Sequence, residues 1–215
     1  MEFLYLSGSP FTWKIWLALE HAELHYEPRR LRVDQGDLRT DRFLALNPKG
    51  KLPVLVDGDL VLSESDAIAE YLAEIASENR KDLWPDHERD RALARRFAST
   101  ATAYVYPAVR RIMEQTLFLQ DGVPDGAIIA VAKSDLAKDF AILSDWLQGD
   151  YAAGEAPTLA DYALYPFIAL LRRIDNQRPG YKVSEIIPRP LETWAGRIET
   201  LPWFERTIPP HWKEG

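Results

Sequence analysis

The sequence contains no cysteine. Its absence excludes disulfides, thiolate metal sites, a cysteine nucleophile and any dithiol redox chemistry carried by the protein itself. Histidine is scarce as well, with His21, His25, His87 and His211 scattered along the chain. Only His21 and His25 stand four apart, a metal-ligand spacing on a helix. The helical pattern ends near Ala22, however, and no third ligand lies nearby, so two exposed histidines at a helix end and no metal are expected. Basic charge is in deficit: 26 Lys and Arg against 33 Asp and Glu leave a net charge of −7. That balance argues against nucleic acid or an anionic membrane as the main partner. A long hydrophobic run is also missing, since the uncharged stretch from Phe97 to Val109 is too short to span a bilayer. The apolar opening Glu2 to Leu6 has neither a basic n-region nor a small-residue cleavage site, so a cytoplasmic protein is the expectation.

What is present is ordinary globular material. With 215 residues, 47% of them hydrophobic, the chain can bury one large core or two small ones. Glu2 to Leu6 reads as a strand, and after Ser7-Gly8-Ser9-Pro10 a helix begins with Pro10 where a missing N–H costs nothing. Ile15, Trp16 and Leu19 recur at helical spacing in it. Tyr26 to Val33 reads as a second strand, and Thr40 to Leu46 as a short helix stopped by Asn47-Pro48. Leu52 to Val56 and Leu60 to Leu62 flank Asp57-Gly58, a hairpin signal, and a helix bearing Ile68, Tyr71, Leu72 and Ile75 follows. This order gives an α/β first domain over residues 1–76 and a polar linker over 77–86. An all-helical second domain over 87–215 completes the chain. Its helices are read from His87 to about Leu119, from Asp125 to Gln148, from Thr158, and from Pro190 to Thr200. Pro107 would kink the first of them.

Four short motifs then stand in register: Ser9-Pro10-Phe11 with Lys14-Ile15, Asn47 to Leu55 (N-P-K-G-K-L-P-V-L), Glu64-Ser65, and Thr158-Leu159-Ala160-Asp161. In this order and at these separations they resemble the cytosolic glutathione S-transferase family, in a bacterial-type form with tau-, zeta- and theta-like motifs and an active-site serine. The resemblance covers nearly the whole chain. It implies a thioredoxin-like N-terminal domain, an all-α helical-bundle C-terminal domain, glutathione as co-substrate and a homodimer.

Each motif also has a plainer reading. Ser9 ends a strand-to-helix turn, where a hydroxyl can donate to sulfur while the helix start favours negative charge. It can equally cap the helix. The resemblance assigns it the catalytic role, with Ser7 and Thr12 as competitors. At Leu52-Pro53 a trans bond is the general expectation, whereas the family implies cis, which offers the Leu52 main chain to the cysteinyl backbone of glutathione. Ser65 suits the γ-glutamyl carboxylate and Glu64 the α-ammonium, although Ser63-x-x-Asp66 also reads as a capping arrangement. Lys51 suits the glycyl carboxylate, and Arg39 is either a second basic contact or a solvated helix-start residue. Lys49 is read as surface. Thr158-x-x-Asp161 is a capping box ahead of the apolar run Tyr162 to Leu171, a feature of folding rather than chemistry.

By resemblance the electrophile pocket draws on Phe11 and on the first helix of the second domain, which offers Tyr104, Tyr106, Arg110 and Met113, with Trp212 in the tail. The expected activity is conjugation of the glutathione thiolate to a small hydrophobic electrophile. The alternatives are glutathione-dependent isomerisation, dehalogenation or ether cleavage at the same site, or a non-catalytic interaction protein on this fold.

Overall fold

A computed structural model describes residues 1–78, 81–119 and 121–213. The chain divides into two compact units, Met1–Trp84 with Leu201–Gly215, and Pro85–Thr200. The first is built on a four-stranded mixed sheet. Strand β1 (Glu2–Tyr5) leads into helix α1 (Pro10–His21), then strand β2 (Glu27–Arg30) and helix α2 (Asp41–Leu46). Strands β3 (Val54–Asp57) and β4 (Leu60–Ser63) form the hairpin, and helix α3 (Ser65–Glu78) follows. The spatial order is β2-β1-β3-β4, with β1 parallel to β2 and antiparallel to β3. In the hairpin Asp57 pairs with Leu60, so the two turn residues are Gly58 and Asp59, one step later than the sequence suggests. Gly58 takes φ 61°, which a side chain would disfavour at that place.

Both faces of β1 are covered, which explains its unbroken apolar run. Leu4 and Val54 pack with Phe43 of α2 on one face. Phe3 meets the Trp16 ring of α1 at 6.5 Å. Strand β2 is shorter than the Tyr26–Val33 expectation and exposed along its length; Pro28 and flanking charges keep this sheet edge from pairing further.

The second unit is helical: α4 (Glu88–Thr100), α5 (Tyr106–Thr116), α6 (Gly126–Asp145), α7 (Leu159–Gln177) and α8 (Arg189–Glu199). The expected long first helix is interrupted by a π-helical turn at Ala101–Val105, directly before Pro107. Proline has no N–H to continue the α-helical ladder, and the widened turn absorbs that loss. Helix α7 is buried from Leu159 through Leu171 and forms the centre of the unit. Its capping box is present, and Asp161 does more than cap. It is fully buried and accepts from Ala152 N (2.8 Å), Thr158 N (2.7 Å), Thr158 Oγ1 (3.0 Å) and Trp194 Nε1 (2.7 Å). Burial pushes its carboxyl pKa up, against those four bonds.

Two boundaries differ from the sequence reading. Helix α3 continues to Glu78, and Leu83 and Trp84 pack on the first unit, with Trp84 Nε1 donating to Glu70. Residues 79 and 80 of the expected linker lie outside the described residues. The tail, assigned to the second domain, belongs with the first unit. It contains helix α9 (Phe204–Thr207) and runs back along α1. Trp203 stacks on His21 at 4.6 Å, Arg206 pairs with Glu20 at 2.7 Å, and Trp13 Nε1 donates to Thr207 Oγ1 at 2.9 Å. Trp212 lies edge-on to Trp13 at 5.1 Å. His21 is thus packed rather than exposed. Burial, with Lys81 adding to it, depresses its pKa to about 4. Covered by the sheet and by the tail, α1 buries nine of its twelve residues.

Candidate active site

Strand register brings the motif residues of the first unit to one end of the sheet. Leu4 pairs with Val54, and Val54 pairs with Ser63. The turn after β1 (Ser7 to Ser9), the residues entering β3 (Leu52-Pro53) and those leaving β4 (Glu64-Ser65) therefore share that end. Helices α1 and α3 both start there, so two positive helix termini face the same region. They are tied together by Lys14 of α1, which is buried and reaches Asp66 in the first turn of α3 at 2.6 Å. Burial lowers the Lys14 pKa, and Asp66 opposes that shift.

The three candidate hydroxyls of the first turn separate clearly. Ser7 Oγ lies 2.7 Å from His211 Nδ1. Thr12 is 2% exposed, and its hydroxyl is enclosed without a partner among the described residues. Ser9 occupies the cap position of α1 with extended backbone, φ −72° and ψ 125°, yet its side chain makes no cap hydrogen bond. Its plainer reading as a cap thus finds no support, and no hydrogen-bond partner for its hydroxyl exists among the described residues.

The Leu52-Pro53 bond is cis. Asn47, read as a helix stop and as the first residue of the second motif, organises the loop before it. Its Nδ2 donates to Lys51 O at 2.7 Å, and its Oδ1 accepts from Lys49 N at 3.1 Å. The Leu52 main chain has no hydrogen-bond partner among the described residues. Ser65, 9% exposed, opens α3, and its hydroxyl is likewise unpartnered among them. Glu64 sits at φ 69°, a region unfavourable for a side chain by about 1–2 kcal/mol and one that clusters at functional sites. Its carboxylate meets Lys49 Nζ at 2.7 Å, and both side chains are exposed, in keeping with the surface reading of Lys49. Lys51 and Arg39 are both exposed.

The expected electrophile residues divide differently. Phe11 is half-buried in the first turn of α1. Tyr104 is 63% exposed, Tyr106 packs on Phe167 at 5.8 Å, and Met113 is buried within the second unit. Arg110 pairs with Glu114 at 2.6 Å, and Trp212 packs on Trp13. Among the described residues no cluster of three or more His, Asp or Glu could hold a metal ion. None of their helices is long and apolar enough to cross a membrane.

The same two-part organisation emerges from comparison with known proteins. Residues 8–75 match the family model for the glutathione S-transferase N-terminal domain, and residues 127–202 match the C-terminal domain. Glutathione S-transferase 1 of Dianthus caryophyllus is 32% identical over 171 residues, covering 78% of this chain and 76% of that protein. A probable maleylacetoacetate isomerase of Vibrio cholerae is 29% identical over 94% of this chain and 92% of its own length. The solved structure of glutathione S-transferase III in apo form superposes with a TM-score of 0.80 at 28% identity, covering 97% of this chain and 96% of that one. A thioredoxin-like sheet with two open helix starts at one end, a helical second unit, and both family models matched in order have one reading: the chain belongs to the glutathione S-transferase family.

Proposed function

We propose that the chain is a serine-type glutathione transferase, with Ser9 donating a hydrogen bond to the glutathione sulfur. One observation carries this reading. At a single end of the sheet, two helix starts present hydroxyls of Ser9 and Ser65, beside the Leu52 main chain, all without partners among the described residues. The Leu52 N–H and C=O would pair with the cysteinyl backbone as an added strand does. Ser65 and the α3 terminus suit the γ-glutamyl carboxylate, and Glu64, already paired with Lys49, suits the α-ammonium. Lys51, with Arg39 as second contact, suits the glycyl carboxylate.

A hydrogen bond to a charged acceptor contributes about 1.5–3 kcal/mol, and the start of α1 about 0.3–1 more. Together these lower the thiol pKa by about 1.5–3, enough to populate thiolate near neutral pH. The thiolate then attacks a small apolar electrophile. Positioning and anion stabilisation are the protein's contribution, with no covalent enzyme intermediate. The test is ultraviolet titration of bound glutathione in the wild type and in Ser9→Ala. A depressed thiol pKa that returns upward in the variant is expected; a depression indifferent to Ser9 would sink the serine assignment.

The likeness to a probable maleylacetoacetate isomerase favours a second reading of the same site, in which the thiolate adds to a cis-unsaturated diacid and leaves again after bond rotation. Product analysis separates the two, because only conjugation consumes glutathione. A homodimer and a cytoplasmic location complete the proposal, the first testable by light scattering and the second by cell fractionation.

A further inference from the structure

The proposed transferase chemistry leaves one proton unaccounted for. Ser9 stabilises a thiolate by donating to it, but with no base behind its hydroxyl among the described residues it cannot keep the thiol proton. Two residues earlier on the same turn stands a hydroxyl with a base attached. Ser7 Oγ lies 2.7 Å from His211 Nδ1, although the two are 204 positions apart in sequence.

Several features hold the imidazole there. Gly8, between the two serines, takes φ 81° and brings the turn so close to the ring that an added Cβ would lie 2.7 Å from His211 Cε1 and 3.2 Å from Nε2. Only glycine fits both the conformation and the contact. Trp212, the next residue, is fixed edge-on against Trp13 of α1. Behind it the Thr207–Trp13 hydrogen bond and the Arg206–Glu20 pair hold the tail to the same helix. The ring is therefore set over the turn by packing on both sides of it in sequence.

We propose that Ser7 and His211 together accept the proton of the glutathione thiol, His211 being the positioning residue that acts through the Ser7 hydroxyl. With Nδ1 accepting from the Ser7 O–H, the Ser7 oxygen is left with lone pairs for an incoming S–H. The S–H bond breaks and its electron pair stays on sulfur. The proton bonds to Ser7 Oγ as the original Ser7 proton moves to His211 Nδ1, and the imidazolium holds that proton, paired through Ser7 with the thiolate, for as long as the thiolate lasts. Ser7 and Ser9 then have opposite tasks, one taking the proton and the other donating to the anion it leaves. The proposal rests on glutathione being the bound thiol.

The test uses the full chain and two ligands. S-methylglutathione, which has no thiol proton, reports whether the site is intact; the absorbance of bound glutathione thiolate reports proton transfer. In His211→Gln, whose amide can still hydrogen-bond Ser7 but is no base, S-methylglutathione affinity should be unchanged. The thiolate fraction at pH 6.5 should fall about tenfold, equivalent to a thiol pKa higher by about 1. Ser7→Ala should give the same fall, and the double variant no more than either alone. Thiolate retained in His211→Gln but lost in Ser9→Ala overturns this proposal and leaves the transferase reading standing. Loss of S-methylglutathione binding in both single variants makes the pair structural and also overturns it. A wild type that binds neither ligand removes the transferase reading and the proposal together.

Discussion

The starts of α1 and α3 in the first unit and those of α6 and α7 in the second use the same residue types to opposite ends. In the second unit Thr158 caps α7 by accepting from Ala160 N, and Asp125 caps α6 by accepting from Ala127 N and Ile128 N. Every such side chain spends its oxygen on its own helix, as a folding signal does. Where α1 and α3 start in the first unit, Ser9 stands in a cap position with cap-like backbone angles and withholds its hydroxyl, and Ser65, the first residue of α3, also leaves its hydroxyl unpartnered among the described residues. Residue type therefore does not separate a hydroxyl that caps a helix from one left open. What separates them is whether the helix has already taken the oxygen.

The contrast can be broken most forcefully at Asp161. Its replacement by Ala strands the Ala152 and Thr158 amides and the Trp194 indole in a buried site, and should cost about 3 kcal/mol or more. Denaturant unfolding that showed only the loss of about 1 kcal/mol usual for a cap would return Asp161 to the ranks of ordinary caps.

The opposite end of α1 is closed where the Ser9 end is open, and pH reads that difference. His21 is held neutral down to about pH 4, while in the unfolded chain it protonates near 6.5. Between those values the unfolded state binds more protons, so stability should fall as pH drops from 6.5 to 4, by up to about 3 kcal/mol. His21→Phe keeps the stacking on Trp203 and should remove this part of the slope in denaturation curves taken at each pH. An unchanged slope would show that His21 is accessible to protons in the folded state.

The tether between the two open starts should be lopsided. Asp66→Ala leaves a buried Lys14 ammonium uncompensated and should cost about 2–3 kcal/mol. Lys14→Met removes the buried charge and leaves an exposed carboxylate to water, for about 1 kcal/mol or less. Equal losses in thermal unfolding would mean that the pair acts through packing rather than desolvation. Smallest of all should be Ser9→Ala and Ser65→Ala, each within about 0.5 kcal/mol of wild-type stability. Thr158→Ala by comparison should lose about 1 kcal/mol. A cap-sized loss at Ser9 would erase the distinction between the two units.

Features carried by local spacing were legible in the sequence. The β-hairpin, the buried run in α7 and the Thr158-x-x-Asp161 box follow from periodicity and capping chemistry within a few residues. The four-motif resemblance supplied the fold and the cis bond at Leu52-Pro53 that local statistics oppose. Contacts between distant segments were not legible. Lys14 and Asp66 are 52 positions apart, and His211 meets Ser7 across 204, with nothing local to either partner that announces the other. The grouping of the tail with the first unit is hidden for the same reason: its short helical turns resemble the unit that precedes it, while its ring stacking and hydrogen bonds are made with α1. A lysine in a Pro-Lys-Gly loop reads as solvated and Lys49 is exposed, but its pairing with Glu64 is invisible locally because it depends on the hairpin bringing β4 back beside it.

The tail along α1 also bears on the order in which the protein can be finished. Helix α1 precedes the whole second unit in the chain and its covering segment follows it, so the first unit waits for the second unit to be synthesised before Trp13, Glu20 and His21 gain their partners. A fragment cut after Trp84 would contain every strand of the sheet yet expose one side of its most buried helix. Dividing this chain at the apparent linker therefore does not yield a complete first unit.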